Sequence, residues 1–362
     1  MAGADLGDKR LNRRLIRLLD RLGEAPAASI PSACQGWAEV QAAYRFLAND
    51  KVSWEGVLAP HWECTRERRR EQSLVLCIQD TTELDFTSQP GIQGLGPLSY
   101  LAQHGMYIHP TLAVTGEGVP LGVLDAWMWA REAAHHGQDK RHWPLEARES
   151  RRWLEGYERV AELAATLPET RLVYVADREC DIHDFMLRAQ QLGTPADWLI
   201  RAAQARCTDN GVKLWQRLET AAVLGEVRFH LPAQPQRPGR EVTQSLRVER
   251  VRLTPRGKAP VEVTALLARE ENPPPGQPAL KWRLLTNRPI QTLEQAAEVL
   301  DWYRKRWTVD IYQPYNLRKS LLSIIHRWGR ASAGFPRRLA LTVAVAAQPH
   351  RLGSATGDAP VG

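Results

Sequence analysis

Three aspartates lie at positions where a folded chain can present a carboxylate to a metal ion. Asp80 and Asp177 each end a short apolar run with the character of a buried strand, residues 73–79 and 172–176. Asp310 lies in a segment with helical spacing. Carboxylate oxygens are hard ligands that favour Mg²⁺ or Mn²⁺. The three aspartates therefore predict a centre for two such ions, with Asp80 bridging them.

Two divalent ions about 4 Å apart are suited to the cleavage of a phosphodiester bond. One ion activates the attacking oxygen, and the other stabilises the oxygen that leaves. A single aspartate at such a position more often only caps a strand or a helix. The prediction of a catalytic metal centre therefore depends on all three aspartates occurring together.

Four further side chains are candidates for contacts with DNA. Tyr303 and Arg306 share a helical face with Asp310, and an arginine there is suited to the phosphate next to the scissile bond. Trp282 is predicted to stack on an extruded base, the alternative being a position in the protein core. Arg178, next to the second aspartate, completes this group.

The composition fits a globular protein with a polyanionic partner. The chain has 362 residues, of which 43% are hydrophobic, and a formal net charge of +7. No apolar run of eighteen residues occurs, and the first thirty residues lack a signal-peptide pattern. The five cysteines form no Cys-x-x-Cys pair, which argues against a zinc ribbon. These features predict a cytoplasmic protein with no membrane partner.

The first part of the chain, residues 1–70, is predicted to be a helical DNA-binding domain. Apolar and basic residues alternate there with the spacing of an amphipathic helix. The basic face is predicted to contact DNA phosphates, although a solvated helix would show the same pattern. The residues proposed for these contacts are Arg10, Arg13, Arg14 and Arg17.

The remainder of the chain predicts an α/β fold. Between residues 71 and 203 the patterns read strand, strand, strand, helix, strand, helix, strand, with carboxylates at the ends of the first and fourth strands. This order is that of a ribonuclease-H-like core. Residues 204–287 are predicted to be an inserted, mainly β subdomain, and residues 288–330 to complete the core with one long helix that carries Asp310. Thr292 and Gln295 predict a capping box at its start. Residues 331–362 are predicted to be a degenerate or disordered tail.

Six sequence blocks in order resemble transposases of the IS-four group, in particular the Tn-five-like DDE branch. The blocks are residues 6–11, 42–47, 79–82, 176–183, 280–286 and 303–310. The resemblance implies cut-and-paste transposition of an insertion sequence bounded by inverted repeats. In this scheme water nicks one strand of double-stranded DNA, the 3′ hydroxyl forms a hairpin, and strand transfer follows. The family also implies a homodimer and a bacterial protein associated with the nucleoid.

The sequence departs from the family signature in two places. The signature reads Tyr, two residues, Arg, three residues, Glu, six residues, Lys, whereas this chain has Asp310 and Leu317 at the last two positions. Pro314 falls where the helix should continue, and the dimerising helices are not recognisable. We therefore expect a truncated or frame-shifted copy. Two alternatives are a catalytically inactive remnant that only binds DNA and a free-standing ribonuclease-H-like nuclease.

Overall fold

The structure is a computed structural model that describes residues 3–25, 28–89, 91–92, 94–132, 138, 143–144, 148–231 and 239–312. The chain divides into two compact units. The first comprises the described residues between Met1 and Pro144 together with the short helix Trp307–Tyr312. The second comprises the described residues between Leu145 and Arg306.

The first unit begins with helices, as the sequence predicted. These are α1 (Lys9–Glu24), α2 (Ile30–Ala33), α3 (Trp37–Leu47) and α4 (Trp54–Arg70). Asp8, Ser29 and Ser53 cap α1, α2 and α4 by accepting a hydrogen bond from a backbone N–H of the first turn. Their apolar faces bury a common core, which includes Leu15 and Leu19.

The strands of the first unit are β1 (Leu74–Gln79), β2 (Thr82–Asp85), β3 (Gly96–Pro97), β4 (His104–Thr115) and β5 (Pro120–Trp129). β4 pairs antiparallel with each of the other four. The three longer strands confirm the predicted antiparallel arrangement. The short β2 and β3 were not predicted, because four and two residues are too few to show a periodicity.

The N-terminal helices and this sheet share one hydrophobic core. Leu84 of β2 and Met106 and Ile108 of β4 belong to the same buried cluster as the residues of α1 and α3. The boundary predicted at residue 70 therefore lies inside a packed unit, whereas the boundary between the two compact units falls after Pro144.

A buried histidine attaches α4 to β5. His61 Nε2 accepts a hydrogen bond of 2.9 Å from the backbone N–H of Val123, and His61 is 2% exposed. Gly122 allows this approach, since its φ is +132° and a Cβ there would clash with the Thr65 side chain. Burial and the nearby Arg68 guanidinium lower the pKa of His61 from 6.5 to about 3.

We expect His61 to make the folded state sensitive to acid. Because the pKa of His61 is lower in the folded chain, the unfolded chain binds the extra proton as the pH falls below 6.5. The contribution of His61 to the free energy of unfolding is fully present above that pH and is lost progressively towards pH 3. At roughly pH 5 the loss amounts to about 2 kcal/mol. Chemical denaturation at several pH values gives the free energy of unfolding as a function of pH. This free energy should depend less steeply on pH in His61→Gln than in the parent. The exposed His230 on β8 provides the control, since His230→Gln removes a histidine without touching the contact between α4 and β5. An unchanged slope in His61→Gln would refute this role.

The second unit contains a sheet with helices beside it. Its helices are α5 (Arg151–Ala165), α6 (His183–Gln191), α7 (Leu214–Thr220) and α8 (Leu293–Lys305), with a 3₁₀ turn at Arg178–Cys180. Its strands are β6 (Arg171–Ala176), β7 (Asp197–Arg201), β8 (Gly225–Leu231), β9 (Arg240–Leu253), β10 (Val261–Glu270) and β11 (Lys281–Thr286).

The strand order of this sheet is β6-β7-β11-β10-β9-β8. β6 and β7 are parallel and joined through α6, and the other neighbouring pairs are antiparallel. Residues 204–287, predicted to be an inserted and mainly β subdomain, contain the strands β8 to β11 and the short helix α7. Because β11 pairs directly with β7, these strands extend the sheet of β6 and β7.

The end of the second unit differs from the prediction in one respect. The capping box of Thr292 and Gln295 is present at the start of α8 and confirms that prediction. The prediction of one continuous helix past Asp310 was wrong, because α8 ends at Lys305 and a new helix, α9 (Trp307–Tyr312), follows. The N–H of Arg306 bonds to the carbonyl of Tyr303, three residues back, which closes the last turn of α8.

Several predictions fall outside the described residues. These include the effects of Pro314 and Leu317 and the character of residues 331–362. In the described part of the chain, no helix combines the length and the apolar character needed to span a membrane.

Candidate functional site

Asp80 follows β1 directly in the first unit and is partly buried. Its Oδ1 accepts a hydrogen bond of 2.9 Å from the backbone N–H of Thr81. The Thr81 hydroxyl lies 2.8 Å from His109 Nδ1, and His109 Nε2 lies 3.1 Å from Gln79 Oε1. Gln79 in turn donates to the Thr111 hydroxyl at 2.8 Å. The residues on both sides of Asp80 are thus held by one buried network.

The geometry of this network assigns the protons on His109. The Gln79 amide nitrogen donates to Thr111, so its Oε1 is the acceptor for a proton on His109 Nε2. In the neutral imidazole Nδ1 then accepts from Thr81. Sequence reasoning missed this network. The signal was the pair of polar residues at positions 109 and 111, in the middle of a strand that is buried along almost its whole length.

Asp177 follows β6 in the second unit and caps the 3₁₀ turn. Its Oδ1 accepts a hydrogen bond of 2.8 Å from the backbone N–H of Glu179. The side chain is partly exposed, and Oδ2 has no hydrogen bond to any described residue. Arg178, beside it, is exposed. Asp177 is therefore fixed in direction and keeps one oxygen available for a ligand.

The second unit brings Asp177 together with two of the predicted DNA contacts. Tyr303 lies on the last turn of α8, and Arg306, the residue that follows the helix, hydrogen-bonds the Tyr303 phenol. Asp177 and Arg201, at the end of β7, are close enough to act electrostatically on the same phenol. Arg306 is 6% exposed. The cluster combines one carboxylate, one phenol and two guanidinium groups, and sequence reasoning missed Arg201.

Tyr303 has the properties of a hydrogen-bonding group and not of a nucleophile. It is 1% exposed, and burial raises the pKa of its phenol above the usual value, with the Asp177 carboxylate adding to the effect. A buried neutral phenol cannot readily supply the phenolate of a covalent intermediate.

Trp282 lies on β11 within the second unit. It is 8% exposed, and its ring stacks on Phe229 with the centroids 6.0 Å apart. The edge contact with Tyr303 has a centroid separation of 6.4 Å. Trp282 thus connects the cluster at Asp177 with the inserted strands. Stacking on a base would require one face of this ring to become accessible.

A buried ion pair that sequence reasoning missed lies four residues after Asp177. Asp181 has a fully buried carboxylate that accepts hydrogen bonds from the backbone N–H groups of Ala203 and Gln204, at 2.7 and 2.6 Å. Arg206 Nε donates to the same carboxylate at 3.0 Å. Asp181 therefore fixes the segment that follows β7.

The donor chemistry fits the metal that the sequence predicts. Asp80 and Asp177 both offer carboxylate oxygens, and both are oriented by a backbone N–H on Oδ1. The side chain of Asp310 lies outside the described residues. Among the residues that the structure describes, no group of three or more His, Cys, Asp or Glu side chains is arranged to hold a metal ion. The assembly of a three-aspartate centre remains a prediction.

The predicted arginines lie on α1 of the first unit. Arg10 hydrogen-bonds Asp8 and lowers the pKa of that carboxyl to about 2. Arg17 forms an ion pair of 2.5 Å with Glu39 of α3. Arg13 is exposed and Arg14 partly exposed, and neither forms an ion pair with a described residue. Arg13 and Arg14 are thus the two most available for phosphate contacts.

An exposed tryptophan at the start of α3 is a further candidate that sequence reasoning missed. Trp37 is 73% exposed, and it follows Gly36, whose φ is +88°. Gln41 and Arg45 follow at four-residue spacing, so the three side chains lie along one line on α3. The signal was an aromatic residue outside the apolar positions of this helix.

The chain is similar to known transposases in two comparisons, one of sequence and one of structure. Residues 1–52 match the family model for transposase DNA-binding. A chain of the piggyBac transposase synaptic complex with hairpin DNA, solved by cryo-EM, is similar over 92% of the present chain, with 10% sequence identity and a TM-score of 0.42. The present chain spans 63% of the length of that chain. The family match over residues 1–52 supports a transposase.

Proposed function

We propose that the protein is a DDE transposase that cleaves and rejoins DNA with Mg²⁺ or Mn²⁺. The observation that carries this proposal is the match of residues 1–52 to transposase DNA-binding. The cluster of Asp177, Tyr303 and Arg306 supports the assignment to the metal-dependent DDE class, because it combines the residue types expected to hold a metal and a phosphate. Double-stranded DNA with inverted repeats, bound by a homodimer, is the proposed substrate.

In this proposal the N-terminal helices hold the DNA. The guanidinium groups of Arg13 and Arg14 neutralise backbone phosphates, which gives affinity without base specificity. Trp37, Gln41 and Arg45 on α3 offer one aromatic and two polar side chains of the kind that contact base edges. In this proposal α1 contributes affinity for DNA, and α3 determines which base sequence is bound.

Three aspartates carry the proposed reaction. Asp80, Asp177 and Asp310 are the proposed metal ligands, and the bound ions would activate the attacking oxygen and stabilise the leaving one. Arg306 and Arg201 are proposed to offset the negative charge of the phosphate. Tyr303 stays protonated and positions Arg306 through their hydrogen bond. Asp80 is held in place by its neighbours Gln79 and Thr81.

The salt dependence of DNA binding tests the role of α1. The substitution Arg13→Ala with Arg14→Ala should weaken binding to a DNA duplex. It should also reduce the slope of log K against log salt by about one for each phosphate that an arginine no longer neutralises. Fluorescence anisotropy at several salt concentrations measures both quantities.

The basic cluster at the end of α4 supplies a matched control. Arg66 and Arg70 pair with Glu63 and Glu67 of their own helix, so Arg66→Ala with Arg70→Ala should leave the slope unchanged. An equal loss of slope in both double variants would show that the net charge, and not α1, governs binding. Binding without cleavage in Mg²⁺ and in Mn²⁺ would favour the inactive DNA-binding remnant.

A further inference from the structure

The strands on either side of Asp80 are two parts of one interrupted strand. β1 pairs with β4 up to Gln79, and β2 pairs with β4 from Thr82 onwards. β5 pairs with β4 along both stretches, so β1 and β2 lie together on its other edge. Both pairings follow the same register, in which Asp80 lies opposite Pro110. Proline has no N–H to donate, so the ladder lacks a donor at the position where the strand is interrupted.

Side chains along this strand alternate between the two faces of the sheet. Gln79 and Thr81 are two positions apart and share one face, whereas Asp80 between them lies on the other. In the common register Thr81 lies opposite His109 of β4, so His109 belongs to the face of Gln79 and Thr81. The Asp80 carboxylate and the His109 imidazole therefore lie on opposite faces of the sheet.

One imidazole contacts both neighbours of Asp80. His109 is fully buried, its Nδ1 lies 2.8 Å from the Thr81 hydroxyl, and its Nε2 lies 3.1 Å from Gln79 Oε1. Its ring also lies against Trp127 of β5, with the centroids 5.9 Å apart. The imidazole is thus fixed between two strands. A rotation of Gln79 or Thr81 towards the other face would break one of its two hydrogen bonds.

Thr81 connects the imidazole to the carboxylate. Its hydroxyl bonds His109 Nδ1, and its backbone N–H donates to Asp80 Oδ1 at 2.9 Å. The same residue therefore fixes the face on which Asp80 lies and the orientation of its carboxylate. Groups that hold a metal ligand in one orientation commonly contribute a factor of about 10–100 to metal affinity.

We infer that His109 is a positioning residue for Asp80, which it keeps on the opposite face of the sheet by holding Gln79 and Thr81. The consequence for a metal ion rests on the proposed function, in which Asp80 is a ligand. The positioning itself does not, since the hydrogen bonds that carry it need neither metal nor DNA. In this scheme His109 acts only through its two neighbours on the interrupted strand.

Hydrogen exchange of the Thr81 amide tests the positioning in the protein alone. In the parent, the bond to Asp80 Oδ1 should protect this amide. His109→Leu removes both hydrogen bonds of the imidazole, so exchange at Thr81 should become about tenfold faster. Thr81→Val removes only the hydroxyl bond and is the milder variant, which should change the exchange rate in the same direction.

A second threonine supplies the matched control for these variants. Thr115 is buried on β4, and its hydroxyl accepts hydrogen bonds from the backbone N–H groups of Glu117 and Val119. Thr115→Val should therefore leave exchange at Thr81 at the parent rate. His109→Asn should restore part of the protection, because its Oδ1 can accept from Thr81 in place of Nδ1. Parent-rate exchange at Thr81 in His109→Leu, or an equal acceleration in Thr115→Val, would overturn the inference.

Binding of Mn²⁺ to the protein–DNA complex tests the consequence for the proposed centre. An EPR titration should give a dissociation constant about 10- to 100-fold higher in His109→Leu than in the parent, with His109→Asn between them and Thr115→Val equal to the parent. Faster exchange at Thr81 with unchanged Mn²⁺ affinity would overturn the link between His109 and the metal. A parent complex that binds no Mn²⁺ would contradict the proposed function, while the exchange rates would still decide the positioning.

Discussion

Replacing Asp80 or Asp177 by alanine should abolish metal-dependent DNA cleavage. A carboxylate that holds a catalytic metal supplies several kilocalories per mole of stabilisation to the transition state, so each substitution should slow cleavage by at least about a thousandfold. The substrate should be a duplex that includes the DNA on both sides of the coding sequence, assayed in Mg²⁺ and in Mn²⁺. DNA binding should remain close to that of the parent, because phosphate contacts dominate affinity.

An aspartate outside the proposed centre provides the control for this result. Asp209 is exposed and follows β7 in the second unit, and Asp209→Ala should cleave as the parent does. Cleavage that survives in Asp80→Ala or Asp177→Ala would remove that residue from the catalytic centre. Equal loss of binding and cleavage would instead indicate a folding defect.

The Asp181→Ala substitution should destabilise the fold by about 3–5 kcal/mol. It removes the fully buried carboxylate and leaves Arg206 Nε and two backbone N–H groups without their acceptor. Asp181→Asn should cost less, because the amide keeps the shape and one acceptor oxygen. Chemical denaturation of the three proteins measures the difference in the free energy of unfolding.

A more exposed ion pair on α6, which begins two residues after Asp181, gives a matched comparison. Asp184 pairs with Lys258 at 2.6 Å, with 30% of the Asp184 side chain exposed, and Asp184→Ala should cost no more than about 1 kcal/mol. A destabilisation in Asp181→Ala as small as that of Asp184→Ala would show that the segment after β7 is held by other contacts.

Structural features that depend on residues close together in the chain could be predicted from the sequence. The capping box of Thr292 and Gln295 involves residues three positions apart, and the N-terminal helices show their periodicity directly. The strands that precede Asp80 and Asp177 were recognisable as continuous apolar runs. Local chemistry was enough for each of these predictions.

Structural features that depend on residues far apart in the chain could not be predicted from the sequence. The role of Asp181 depends on Arg206, which lies 25 positions away and contacts it from the segment that follows β7. Trp282 is buried because Phe229 of β8 packs on its ring. The break at Arg306 was missed because the helical spacing continues past it, although the backbone bond of Arg306 goes three residues back.

Binding of Mn²⁺ to the protein–DNA complex tests the central claim most directly. An EPR titration counts bound ions without requiring cleavage, so it separates metal binding from catalysis. If Asp80, Asp177 and Asp310 form the catalytic centre, the complex should bind two ions, and Asp177→Ala should bind fewer while Asp209→Ala binds the same number as the parent. A parent complex that binds no Mn²⁺, or an Asp177→Ala complex that binds as many ions as the parent, would contradict the assignment of a two-metal transposase.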